Sequence, residues 1–234
     1  MKKYIILTIA ALIVNNVLLA QEITETKVKG SIVNFIGGYG YAEVNEVQQF
    51  FPEGTVALNQ NHFTFGAQVL YLNNNYLFGF SGYTIFGDTY VGDSNEVTTQ
   101  ASLFTLDFGY LLTQKPSAKF KCYPLISLGG GGTTIINKRT KDLTVTEIQN
   151  SSFTETNLLQ GTIIGDASLN MAYVFGKVSD DDLSKGGVSV GVQLGYTYGI
   201  GIGDWKFAGA KIIDAESYNL GMLYAKLTFG FHSF

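Results

Sequence analysis

From Val188 to Ile200 the chain alternates without a break. Val188, Val190, Val192, Leu194, Tyr196, Tyr198 and Ile200 hold the even positions, and Ser189, Gly191, Gln193, Gly195, Thr197 and Gly199 the odd ones. A period of two puts every bulky apolar side chain on one face of a strand and every small or polar one on the other.

The same pattern recurs at Phe63, Phe65, Ala67, Val69 and Tyr71, at Phe104, Leu106, Phe108, Tyr110 and Leu112, and at Leu223, Ala225, Leu227, Phe229 and Phe231. Weaker versions lie at roughly 30–44, 76–91, 119–136 and 158–175, which makes eight strands in all. The connections alternate in length. Segments 45–60, 137–157 and 203–216 are long and 92–97 is intermediate, whereas 73–75, 113–118 and 176–185 are shorter. Short turns at one end and longer loops at the other predict an all-β, closed, antiparallel up-and-down transmembrane barrel, with both termini at the short-turn end. Leu143, Val145 and Ile148 in the segment 137–157 leave room for an added pair of strands, giving ten.

Composition agrees with a chain whose surface does not face water. Charged residues make up 15%, against roughly 25% in soluble domains, while aromatics reach 14% and there are 28 glycines but 3 prolines. Lys2 and Lys3 precede an apolar stretch that runs to Ala20, the arrangement of a signal peptide. Cleavage after Ala20 would leave residues 21–234 as one barrel domain, although Leu18 is larger than the usual residue at its position. Without the two leader lysines the chain carries 13 basic and 19 acidic residues, which argues against a nucleic-acid partner.

On these features the sequence resembles the small outer-membrane β-barrels, the OmpA/OmpX-like family, especially the single barrels of Bacteroidetes-type bacteria. The resemblance covers residues 21–234 and rests on alternation, leader and terminal aromatics. It implies a Gram-negative outer-membrane location with periplasmic termini, contact with membrane lipid and lipopolysaccharide, and insertion by the barrel-assembly machinery. In that family an aromatic ending the last strand is read as the insertion signal. Here Phe231 and Phe234 both qualify, because the apolar parity slips between them.

A soluble ligand-binding barrel would also alternate, but its outward face would be rich in Lys and Glu, whereas here the polar face is Gly, Ser, Thr, Gln and Asn. No motif points to catalysis or a cofactor. The two histidines, His62 and His232, fall at opposite ends of the barrel; His62 is read as a rim residue facing water, with Asp88, Asp93 and Asp204 within its reach. Gly129–Gly132 lacks the Lys and hydroxyl of a phosphate loop, and Asp180, Asp181 and Asp182 lack EF-hand spacing and are read as a solvated turn. Cys122 shares parity with the apolar face.

Tyr39, Tyr41, Tyr71, Tyr110, Tyr173, Phe175 and Tyr198 are placed near strand ends as interfacial girdles. Val190, Val192, Leu194 and Leu227 are expected to face lipid. Phe50, Phe51, Trp205 and Phe207 fall in predicted long loops and are the candidates for contact with an extracellular ligand or surface partner. Since side chains just fill an eight-stranded barrel, the expected role is non-enzymatic: a largely plugged structural or surface-interaction protein, with a narrow channel or lateral conduit for small or hydrophobic molecules as the alternative. Parity places Asp107, Asp166 and Lys226 inside. An internal ion pair between Asp107 and Lys226 is expected, with Lys121 as the other partner for Asp107.

Overall fold

The computed structural model describes residues 29–43, 61–87, 90–91, 95–113, 118–139, 155–176 and 187–233. Eight long strands form one antiparallel sheet: β1 (Lys29–Glu43), β2 (Asn61–Asn73), β3 (Tyr76–Gly87), β4 (Asn95–Tyr110), β5 (Phe120–Arg139), β6 (Glu155–Phe175), β7 (Gly187–Phe207) and β8 (Asn219–Ser233). Each pairs with the next, and β8 returns to β1 from Ser31↔Ser233 to Glu43↔Gly221, so the sheet closes on itself. Two short pairings, Tyr90–Val91 on β4 and Ala210–Lys211 on β7, extend it at the loop end. The segment 140–154, where a further pair of strands was expected as the alternative, lies outside the described residues.

The tightest connection follows from residue type. Asn74 takes a left-handed backbone (φ 57°) in the turn between Asn73 and Tyr76, a conformation that asparagine tolerates better than other side-chain-bearing residues. At the other end β7 runs on to Phe207 through a stretch expected to be loop. Ala208 (φ 48°) and Gly209 (φ 84°) then turn the chain back onto β7. The strands flanking 140–154 are also longer than the sequence suggested, since β5 and β6 pair out to Lys138↔Glu155.

Register sets the girth of the barrel. From Phe231 the hydrogen-bonded row passes through Val33, Val69, Phe80, Leu106, Leu128, Gly165 and Tyr198 and returns to β8 at Gly221, ten residues from its start. For eight strands at ordinary spacing, that stagger tilts them by about 40° and gives a backbone radius of about 8 Å.

The two faces differ as the alternation requires. Phe35, Phe65, Phe104, Leu106, Ile126, Leu128 and Phe229 stand on the outside with about half or more of their surface bare. Val190, Leu194 and Leu227 share this outward face, with Val192 half-exposed among them. Cys122 also lies on it, half-buried. Aromatic pairs cluster toward the strand ends, with Tyr76–Tyr110 at 5.4 Å and Tyr173–Phe175 at 5.0 Å at the turn end, and Tyr39–Phe63 at 5.4 Å nearer the loop end. A closed apolar belt of this extent is suited to hydrocarbon and not to water, which makes the fold a transmembrane barrel.

Arg at Leu194, which lies midway between Val190 and Tyr198 on the outer face, is expected to cost about 2–4 kcal/mol and to impair folding into bilayers. Unfolding titrations in lipid vesicles measure this, and wild-type stability would show that the position does not face lipid.

Candidate functional site

Among the described residues, the inside of the barrel is where the fold gathers buried polar and charged side chains, and it is built in three layers. At the turn end Ile32, Leu70, Leu72, Leu77, Leu111, Tyr123 and Leu125 form a buried apolar cluster. At the loop end a larger one includes Ile85, Val97, Leu103, Ile135, Leu158, Leu220 and Met222. Between them lies a polar layer, and the three layers share the same inward parity. The alternation predicts a small and polar interior throughout; the structure differs, because on β2 inward parity runs from His62 through Thr64 and Gln68 to Leu70 and Leu72.

Trp205 belongs to the loop-end layer. It was expected in a loop, available to outside partners, but it is 1% exposed, and its indole N–H donates to the carbonyl of Glu216 at 2.9 Å. Inward parity on β7 passes through Gly199 and Gly201 and, beyond an irregularity at the exposed Gly203 (φ 72°), is regained at Trp205, so the strand rule, carried five residues past Ile200, reaches it. Phe207, half-buried, packs against the same cluster together with Ile212 and Ala215. Gln160 fastens this cap. Its amide donates to the Gly203 carbonyl at 3.0 Å and to the Ser217 hydroxyl at 3.3 Å, and its oxygen accepts the Tyr218 N–H at 2.9 Å. Outside the cap, Lys211 and Asp204 form an exposed ion pair at 2.8 Å. Phe50, Phe51, Phe234, Asp88, Asp93 and Asp180–Asp182 lie outside the described residues, as does the expected leader.

Both carboxylates expected inside are there, and each is held by neutral donors. Asp107 accepts from Gln68 at 3.0 Å, from Thr105 at 2.9 Å and from the Ser81 hydroxyl. Gln68 in turn accepts from Asn34 at 3.2 Å, and Asn34 also reaches the Tyr123 hydroxyl at 3.5 Å. Asp166 accepts from Thr197 at 2.6 Å and from the Tyr224 hydroxyl at 2.9 Å.

Lys226 does not make the expected pair with Asp107. Its Nζ sits 3.7 Å from the centre of the Tyr224 ring and 4.5 Å from that of Tyr83, so two aromatic faces hold the ammonium. Height is not the obstacle. The register row through Asp107 meets β8 at His232 in one direction and at Met222 in the other, which leaves Lys226 close to level with Asp107 on the opposite wall. The obstacle is width: walls roughly 16 Å apart exceed the roughly 10 Å that Asp and Lys span together. Lys121, the other expected partner, is buried near the turn end, well removed from the ammonium clamp.

Three glycines make room for the clamp. A Cβ on Gly38 would collide with Lys226, one on Gly66 with Tyr83, and one on Gly195 with the Tyr224 hydroxyl. These inward glycines are the spaces in which the three large members of the polar layer fit. The histidines lie elsewhere. His62 is on the inner wall of β2 at the loop end and is buried, not facing water as expected, and His232 is buried at the turn end. Among the described residues no three His, Cys, Asp or Glu side chains are grouped to hold a metal ion.

No protein-family model matches the chain, and no curated protein does. Among solved structures the chain is similar to Neisserial surface protein A (NspA), at 15% identity and a TM-score of 0.42 over 85% of this chain and 95% of that one. It is also similar to the outer membrane protein OprG from Pseudomonas aeruginosa, at 13% identity and 0.41 over 88% and 95%. The attachment invasion locus protein Ail of Yersinia pestis is similar at 12% identity and 0.39 over 88% and 99%.

Two substitutions separate the hydroxyl of Tyr224 from its ring. Tyr224→Phe removes a donor from a buried carboxylate and is expected to cost about 1–3 kcal/mol. Tyr224→Leu also removes the ring under the ammonium and should cost a further ~0.5–2 kcal/mol. Equal losses in the two variants, read from unfolding midpoints in lipid, would remove the ring from the clamp.

Proposed function

We propose that this chain is an integral β-barrel of a Gram-negative outer membrane, with the turn end and both termini in the periplasm and the loop end outside. It acts through that outer end and does not pass solutes through its middle. The observation that carries this reading is the pair of apolar layers at the two ends of the interior. An ion or polar solute moving along the axis would have to leave water beside Leu70, Leu72 and Leu77, and again beneath Trp205 and Leu158, where a few buried polar side chains, Lys121 and His232 at one end and Gln160 at the other, replace only part of its hydration. The polar layer between them is itself filled by hydrogen-bonded side chains. A channel would need a continuous polar route, and the apolar layers interrupt it.

With the interior filled, contact with other molecules falls to the outer rim. Ile213, 76% exposed beside the Asp204–Lys211 pair, offers an apolar point framed by charge. Phe50 and Phe51 in the first long connection are the remaining aromatic candidates. Lipopolysaccharide or a surface partner presenting both apolar and charged groups is the class of ligand such a rim would meet. The role is non-catalytic in this proposal, since His62 and His232 sit at opposite ends and, among the described residues, no three His, Cys, Asp or Glu side chains are grouped. On the periplasmic side, Phe231 stands outward and half bare on the last strand, where the assembly machinery could read it.

Purified protein in planar bilayers tests the sealed interior: no steady conductance is expected at any salt concentration, and a stable, salt-dependent unitary conductance would overturn it. The insertion signal is tested by truncating after Phe231, for which wild-type levels of heat-modifiable barrel in the outer membrane are expected. Loss of insertion would assign the signal to Phe234.

A further inference from the structure

Among the described residues, the hydrogen bonds around the two carboxylates of the polar layer fall into two networks. One, centred on Asp107, draws on β1 (Asn34), β2 (Gln68), β3 (Ser81), β4 (Thr105) and β5 (Tyr123). The other, centred on Asp166 of β6, draws on β7 (Thr197) and β8 (Tyr224). Together they reach all eight strands.

Between them lies a cavity of about 10 Å³ whose walls include Gln68 and Ser81 of the first network, Asp166 of the second, and Tyr83, Gln193 and Lys226. Three of these side chains have unused polar capacity. Gln193 is 5% exposed; its amide donates to Ser168 at 3.0 Å, yet its Oε1 accepts nothing from the described residues. Tyr83 is 8% exposed, and its hydroxyl has no hydrogen-bond partner among the described residues. Lys226, 3% exposed, has three N–H donors and two ring faces to receive them.

We propose that this cavity is a binding site for a single water molecule, which joins the two networks into one belt around the barrel. The volume matches one water and the walls offer it both donors and acceptors. The water accepts from Lys226 Nζ and donates to Gln193 Oε1, and its second proton is directed at the carboxylate and hydroxyl oxygens of the walls. An anion would be opposed by Asp166, and a dehydrated alkali cation by Lys226. The water therefore gives the ammonium part of the hydration it lost on burial, and links Lys226 to Asp166 on the same cavity wall and, through Gln68 and Ser81, to Asp107. Because apolar layers close both ends, it exchanges with bulk water only when a layer opens.

A high-resolution structure of the wild-type protein tests the site directly. One spherical peak about 2.7–3.2 Å from both Lys226 Nζ and Gln193 Oε1 is expected. Lys226 bonded instead to a carboxylate, a cavity without a peak, or an anomalous signal there after rubidium or bromide soaking would each overturn the proposal. In solution, Asp107→Asn and Asp166→Asn are expected to couple: the double variant should lower the unfolding midpoint by less than the two single shifts combined. Gln193→Leu should abolish that coupling, and its persistence in the Gln193→Leu background would contradict a water-linked belt.

Discussion

Everything in this barrel depends on the pairing of β8 with β1. In hydrocarbon an unpaired strand edge leaves a row of N–H and C=O groups with no partner, so the sheet has to close. The register at which it closes, from Ser31↔Ser233 to Glu43↔Gly221, completes a stagger of ten residues. That stagger fixes the tilt, and the tilt fixes a radius of about 8 Å. At this radius side chains just fill the interior, and small residues are required wherever a large one enters. Gly38, Gly66 and Gly195 stand opposite Lys226, Tyr83 and Tyr224 for this reason.

Width also decides how charge is housed inside. Asp107 and the ammonium, on opposite walls this far apart, do not neutralise one another by contact, and no ion pair joins Asp166 to Lys226 among the described residues. Each is instead supported locally: Asp107 by Gln68, Ser81 and Thr105, Asp166 by Thr197 and Tyr224, and Lys226 by two rings. A buried charge held by neutral groups still depends on those groups staying in place, so the polar layer rewards one register over its neighbours. In the proposed sealed barrel, the apolar layers at the ends keep bulk water from competing for these donors.

Much of this was legible in the sequence, because alternation is a local rule. Strand number, the outward set through Val190, Leu194 and Leu227, and the inward placement of Asp107, Asp166 and Lys226 all follow from parity. Trp205 was missed although the same parity reaches it, since Gly201, Gly203 and Asp204 look like the start of a loop. The layered interior was readable from His62 to Leu72 on β2 but is easily hidden by the many small residues on the other strands. What parity cannot give is distance across the barrel. The pair of Asp107 with Lys226 failed on diameter, and diameter follows from the stagger, which exists only once all eight registers are set.

The central claim is that the outer face meets lipid while the inner face meets neither lipid nor bulk water. Nitroxide scanning along β8 in proteoliposomes tests both halves at once. In a Cys122→Ser background, free of the only native thiol, single cysteines from Leu220 to Phe231 would be labelled and their collisions with oxygen and with a water-soluble nickel reagent measured. Labels at Leu223, Ala225, Leu227 and Phe229 are expected to collide with oxygen and not with nickel, and labels at Met222, Tyr224, Lys226 and Thr228 with neither. Nickel collisions at the second set would reveal a water-filled pore, and nickel collisions at the first set would show a barrel that is not in a membrane; either result would contradict the sealed transmembrane barrel.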